Sequence, residues 1–486
     1  MATRRILLVN PKARSLTTRP IFMKKVLSSP LAGLLAVAAL IPQDRYEVIL
    51  IDENIEPIDF GIKADLVGIS AMTPYVKRGY QIADEFRRRE IPVVMGGVHP
   101  SVMPEEALQH ADAVVVGEAE YVMAKVLEDL DDGGIGGIYK AERLHSMIGM
   151  LLPRYDLIKA NRYVNTTYIQ TSRGCHHACS FCTEHVMYGP KLRYRPVEEV
   201  MREIDASGAP TISLNDADFF ATPRRAAELM RALKGRGIRW KASVNTREAH
   251  NDALLKLAAE SGCYMLSLGF QSISCKSLRN VHQYHESPEQ YKQLVQKIQS
   301  YGILVFGVFM FGFDGEHPSV FEETVKFNID AKFDACAYSI MTPYPGTITW
   351  YEMLKDERVT NFDWNAYDQR NVVFEPSGLT REQLKQGQIQ AYRQFYSPSS
   401  IARRFPLRGS RSRSYWALYN LFFRGGEMVV PNSWTRPAET SELNTEVQLA
   451  RMPQMTGWRE LATAAPHMPL GGSAAVAPSG IRAAAE

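Results

Sequence analysis

Short apolar runs alternate with amphipathic stretches through the first part of the chain. "RILLVN", "YEVILID", "ADLVGIS", "IPVVMGG" and "DAVVVGE" have strand length, and segments such as "YVKRGYQIADEFRRR" between them carry the helical period. Near-continuous apolar strands are buried on both faces, so the pattern predicts a parallel sheet covered by helices, an α/β fold. Four runs end in small or polar residues, at Asn10, Ser70, Gly96 and Gly97, and Gly117 and Glu118. A parallel sheet lines these up along its carboxyl edge, where open sheets bind ligands.

Residues 132–143, "DGGIGGIYKAER", read as the start of a linker. A second alternation follows, with strands at "VNTTYIQT", "TISLND", "RWKASV", "YMLSLGF", "VFGVFMFG" and "ACAYSI", and helices such as "SPEQYKQLVQKIQSYG" between them. Six strand-helix units in about 175 residues predict a barrel or part of one. Beyond Thr347 the pattern loosens, and "TREQLKQGQIQAYRQFY" predicts a helix over 380–396. The basic, aromatic stretch at 401–426 reads as the solvated face of a closing helix; membrane-surface association is compatible with it but not required. The end of the chain lacks any apolar period and predicts a disordered tail. The resulting division is 1–135, a linker at 136–163, 164–350, a mainly helical region at 351–464 and the tail at 465–486.

Composition narrows the function classes. A chain of 486 residues accommodates two or three domains, each with its own core. Its 45% hydrophobic and 22% charged residues are those of a globular protein, and a net charge of +3 is too small to imply nucleic acid. The apolar run at 31–41 falls short of the roughly 20 residues that cross a bilayer as a helix. Six cysteines in so long a chain form no disulfide framework, and Cys175, Cys179 and Cys182 lie close together. This implies a reducing compartment, the cytoplasm, and a metal.

Soft thiolates select zinc or an iron-sulfur cluster. A structural zinc needs a fourth ligand, which His176, His177 or His185 would supply. A cubane held by three cysteines leaves one iron open for a reactive ligand. The loop follows the first strand of the second series directly and so sits at a carboxyl edge, where barrel chemistry resides; that placement favours the cluster.

"CHHACSFC" resembles the signature of the radical S-adenosylmethionine (SAM) superfamily, with Phe181 as the aromatic before the last cysteine. The resemblance implies a 4Fe-4S cluster on Cys175, Cys179 and Cys182 whose open iron binds SAM and reduces it to a 5'-deoxyadenosyl radical. "SLNDADFF" resembles the segment near the methionyl amino group, with Asp216 and Asp218 as acceptors. "LGFQSIS" resembles the fourth-strand element, with Gln271 in place of the usual glutamate, followed by Ser272. "GVFMFGFDGE", containing Gly312, resembles the fifth-strand motif beside adenine, and "MTPYPGT" the end of the sixth strand.

The N-terminal domain resembles the cobalamin-binding domain of one class in that superfamily, through "LLVNP", "DENI", "DLVGISAMTP", "GGVHPSVMPEEAL" and "VVVGEAE". It lacks the Asp-x-His-x-x-Gly motif that supplies an axial histidine. Asn10, Met72, Thr73, Gly96, Gly97, His99 and Glu118 are the cobalamin candidates by position on the edge. The implied fold is a Rossmann-like domain, a partial (βα)6 TIM-like barrel and a helical C-terminal region. The implied activity is cobalamin-dependent C-methylation of an unactivated carbon in a natural-product, lipid or tetrapyrrole-type substrate, with the aromatics around Trp350, Trp364 and Trp416 available to hold it. An external one-electron donor such as flavodoxin or ferredoxin is expected, and no nucleic acid. Two rivals remain open: a radical cyclase, oxidoreductase or rearrangement enzyme without methyl transfer, and a zinc-stabilised, non-catalytic cobalamin-binding protein.

Overall fold

The computed structural model describes residues 4–13, 31–159, 163, 167–281, 286–406 and 413–428. The expected tail at 465–486 lies outside them. The five N-terminal apolar runs form β1 (Arg4–Asn10), β2 (Tyr46–Asp52), β3 (Leu66–Ser70), β4 (Val93–Gly96) and β5 (Ala113–Val116). The glycine-rich stretch read as linker contributes β6 (Gly137–Lys140). It is an edge strand with only Tyr139 facing inward, so it carries almost no apolar signal; the Tyr139 hydroxyl donates to Asp129 at 2.7 Å. The sheet is wholly parallel in the order β2-β1-β3-β4-β5-β6. Chain direction across the sheet reverses at β1, which opens a crevice at its carboxyl edge.

Helix Ala32–Ala39 packs on one face of this sheet, and Val76–Arg87 on the other. The first is apolar all round because it has two apolar neighbours. Leu34 and Ala38 pack into the core, while Ala32, Ala36 and Val37 line a cavity.

The second series forms β7 (Thr167–Ile169), then a two-stranded antiparallel ribbon of β8 (Ser172–Arg173) and β9 (Arg193–Tyr194). It continues through β10 (Thr211–Leu214), β11 (Arg239–Val244), β12 (Cys263–Gln271), β13 (Leu304–Phe311) and β14 (Ala335–Ile340). Apart from the ribbon, the order is β14-β13-β12-β11-β10-β7, all parallel, with the end strands unpaired to each other. This is the expected partial barrel of six strands. Helix Arg381–Phe395 closes its outer side and begins with a capping box between Thr380 and Gln383, within a residue of its expected bounds.

One buried apolar cluster runs from Val76, Phe86 and Met95 of the first domain through the barrel to Trp364 and Phe395. Because the domains share a core, their carboxyl edges are held in fixed relation. Trp350, Trp364 and Trp416 are each 3% exposed or less. They are core residues, in keeping with packing as the commoner role of such side chains. Among the described residues no helix is long and apolar enough to cross a membrane.

Candidate active site

Cys175, Cys179 and Cys182 lie on the loop between β8 and the short helix Glu184–Tyr188, at the mouth of the barrel. Gly174 starts the loop at φ +84°, and a Cβ there would stand 2.4 Å from the Lys191 carbonyl oxygen, so only glycine makes the turn. Ser180 ties the loop to the barrel through its amide on Val281 O at 3.2 Å and its hydroxyl beside Thr349 Oγ1 at 2.9 Å. Phe181 packs edge-on against Phe313.

None of the three forms a disulfide among the described residues, and burial raises their pKa, that of Cys175 to about 12. For Cys175 and Cys179 the charge of a neighbouring cysteine adds to the rise. Three thiolates on one short loop are stable only around a compensating cation, and the donor set fits a cluster with one open iron. Two of the three histidines have partners other than the cysteine thiols. His185 Nε2 lies 2.6 Å from the Cys175 carbonyl oxygen, and His177 Nε2 lies 3.1 Å from Asp218.

The two aspartates of "SLNDADFF" separate. Asp216 is buried and accepts from Thr171 N at 2.8 Å, Ser172 N at 2.9 Å and the Thr171 hydroxyl at 2.5 Å. Its acceptor capacity is consumed in bracing β8, so it is a structural strut. Asp218 accepts from Phe220 N and Asn245 N yet still reaches the cysteine loop through His177. Glu248, which sequence reasoning missed, completes the group: ligand atoms of His176, His177, Asp218 and Glu248 lie within 4.8 Å of one another. Burial and the Asp218 charge raise the Glu248 pKa.

Gln271 sits at φ +59° at the end of β12, and its buried Oε1 accepts no hydrogen bond. Glu248 Oε2 is likewise buried without a hydrogen bond. These orphan acceptors at the barrel mouth suit the ammonium and hydroxyl donors of SAM. The Ser272 hydroxyl accepts from Ser274 N and caps the following turn. Gly312 at φ +102° donates its amide to Glu316 at 2.7 Å. Burial raises the Glu316 pKa to about 8.

Facing this mouth, a cavity of about 350 Å³ extends from the carboxyl edge of the first sheet down beside helix Ala32–Ala39. Met72, Gly96, Gly97 and Glu118 line it. Small residues keep it open. A Cβ on Gly68 would meet Leu8 Cδ2 at 2.8 Å, and Gly97, at φ +96°, would bring one to 2.8 Å from Ala71 O.

Three other cobalamin candidates are not in its wall. Asn10 Nδ2 is bound to Asp52 at 2.9 Å. Thr73 Oγ1 lies 3.3 Å from His99 Nδ1, and His99 is fully buried with Nε2 3.4 Å from Glu106 and its ring 4.9 Å from that of Trp364. His99 cannot be an axial ligand from there; it supports the loop that carries Met72. Residues from across the interface line the cavity instead, among them Gln170, Arg173, Tyr188 and Asn215.

Residues 169–327 match the radical SAM superfamily, and residues 27–127 match the B12 binding domain. The chain is 30% identical over 441 residues to the bacteriochlorophyllide d C-12(1)-methyltransferase of Chlorobaculum tepidum, covering 88% of this chain and 94% of the relative. The chain belongs to the radical SAM superfamily. The anaerobic magnesium-protoporphyrin IX monomethyl ester cyclase of Rubrivivax gelatinosus is 26% identical, over 69% of this chain and 66% of that protein. The radical SAM methyltransferase TsrM from Kitasatospora setae, solved with cobalamin and a 4Fe-4S cluster, shares the fold with a TM-score of 0.64 at 16% identity, covering 88% of this chain and 99% of that one.

This radical SAM protein is therefore an enzyme that carries a B12-binding domain, and its relatives include cobalamin-dependent methyltransferases. Its cofactors are a 4Fe-4S cluster, SAM and cobalamin. The non-catalytic zinc reading is set aside.

Proposed function

We propose that the enzyme methylates an unactivated carbon on a tetrapyrrole-type macrocycle. The observation that carries this is the 30% identity to a bacteriochlorophyllide methyltransferase, spread over 88% of this chain and 94% of the relative.

When bound, the cluster and SAM supply a hydrogen-abstracting radical, and the corrinoid supplies the methyl group. Cys175, Cys179 and Cys182 would hold the cluster. Asp218, Glu248 and Gln271 would orient SAM. Met72, Gly96, Gly97 and Glu118 would border the corrinoid. The shared apolar core would hold the two carboxyl edges in fixed relation, and so would position SAM and the corrinoid bound at them relative to each other. The electron enters from an external donor such as flavodoxin or ferredoxin, and the enzyme works in the cytoplasm.

The cyclase relative favours one alternative, a radical reaction on the same class of macrocycle without methyl transfer. Anaerobically reconstituted enzyme, incubated with a chlorin deuterated at its alkyl substituents, distinguishes them. The expected result is deuterium in 5'-deoxyadenosine and a product larger by one methyl group. Deuterium transfer with a dehydrogenated or ring-closed product of unchanged carbon count would overturn methylation in favour of the alternative.

A further inference from the structure

Arg173 stands two residues before Cys175, on β8, and its side chain points back into the cavity of the other domain. It is 6% exposed. Its Nε donates to Gln170 Oε1 at 2.9 Å, and its Nη2 donates to Glu120 Oε1 at 2.6 Å. The guanidinium also lies 5.5 Å from the centre of the Tyr188 ring. Nη1 lies 3.3 Å from Glu118 Oε2 but makes no hydrogen bond, although it is fully buried. Glu118 is already taken by Arg193, which reaches it with two hydrogen bonds of 2.5 and 2.9 Å. Nη1 is thus ion-paired with Glu118 but lacks an aligned hydrogen bond, and a buried guanidinium N–H left in that state costs stability unless a ligand supplies an acceptor.

The charges around Nη1 define that acceptor. Two arginines face two glutamates, so the group is already neutral, and a further anion would meet Glu118 and Glu120 within the same wall. A neutral carbonyl oxygen adds a hydrogen bond without adding charge. A corrin ring carries such oxygens on its peripheral amides.

We propose that Arg173 is a corrinoid-positioning residue whose Nη1 donates to a peripheral amide carbonyl of the corrin, tying the cobalamin edge to the backbone that carries the first cluster cysteine. This rests on the corrinoid occupying the cavity, and it assigns Arg173 a role independent of which substrate is methylated. Glu118 and Glu120 orient the guanidinium from the other domain, so the fork is preset before the cofactor binds.

The test uses the reconstituted full chain, with hydroxocobalamin and cobinamide, which lacks the nucleotide loop and its phosphate, as probes. R173K keeps the charge between the two glutamates but loses the fork; R173Q loses both. Both variants are expected to keep wild-type iron and sulfide content and to bind each corrinoid about tenfold more weakly. Unchanged affinity in an iron-replete R173K overturns the proposal. Weakening toward cobalamin but not cobinamide overturns the amide assignment, because the acceptor would then be the phosphate. Loss of iron in both variants also overturns it, since Arg173 would then serve the cluster loop alone. Failure of the methylation reading shows separately, as a wild type that binds both corrinoids yet forms no methylated product.

Discussion

At the scale of single residues, the cysteines were fully legible, because three thiols in one short loop have few uses. Substituting any one of Cys175, Cys179 or Cys182 with alanine is expected to abolish the iron-sulfur charge-transfer absorption while leaving corrinoid binding measurable. Gly97 was legible as an edge residue, but the reason it must be glycine was not. At φ +96°, with a Cβ 2.8 Å from Ala71 O, G97A is expected to cost about 2 kcal/mol in thermal denaturation and to weaken corrinoid binding. Asp216 and Asp218 looked equivalent in sequence. Only the backbone amides of Thr171 and Ser172, brought in from the preceding strand, show that Asp216 is spent. Glu316 ends the fifth-strand motif, but its raised pKa was not legible there because burial creates it. Its carboxyl keeps a proton in the folded chain up to about pH 8 but releases it near 4.5 when unfolded. Stability should therefore fall as pH rises from about 4.5 to about 8, and E316Q, which stays neutral, should flatten that slope in melting curves.

At the scale of elements, apolar strands and an amphipathic, capped helix such as Arg381–Phe395 could be read from the chain, since their periods differ. Edge strand β6 could not, because it buries one side chain and is built on glycines. Contacts between elements far apart in sequence were also invisible. Trp364 Nε1 donates to Glu106 Oε1 at 2.8 Å across 258 residues, and Tyr80 donates to the same oxygen at 2.9 Å. Burial opposes the Glu106 charge, yet the His99, Tyr80 and Trp364 hydrogen bonds hold its pKa low. Removing one donor with W364F leaves that buried carboxylate short of a partner. A loss of about 2 kcal/mol is expected in denaturant unfolding, and loosening of the Met72 loop should raise the corrinoid dissociation constant. The Glu118 and Arg193 contact between domains has its own pH signature. Burial opposes the charge on Glu118, but Arg193 and Arg173 lower its pKa below the ordinary 4.5. Its contribution is present above that value and is lost as pH falls through the folded one. Corrinoid release on acidification is therefore expected to precede global unfolding, as followed by absorbance and circular dichroism on one sample.

At the scale of the whole molecule, the order of domains was legible, and the apposition of their edges was not. It depends on a core that runs unbroken from one domain into the other, and on carboxylates of the first meeting arginines that flank the cysteine loop of the second. Neither domain's sequence contains that information, because each half of every such contact looks like an ordinary surface charge. The proposed methylation makes one chemical demand: two molecules of SAM must be spent in different ways, one as a methyl source and one as a radical source. The most direct test is to quantify both by-products in a single anaerobic turnover experiment on the reconstituted enzyme with a chlorin substrate. Equal amounts of S-adenosylhomocysteine and 5'-deoxyadenosine, each matching the methylated product, are predicted; 5'-deoxyadenosine formed with product but without S-adenosylhomocysteine would contradict the account.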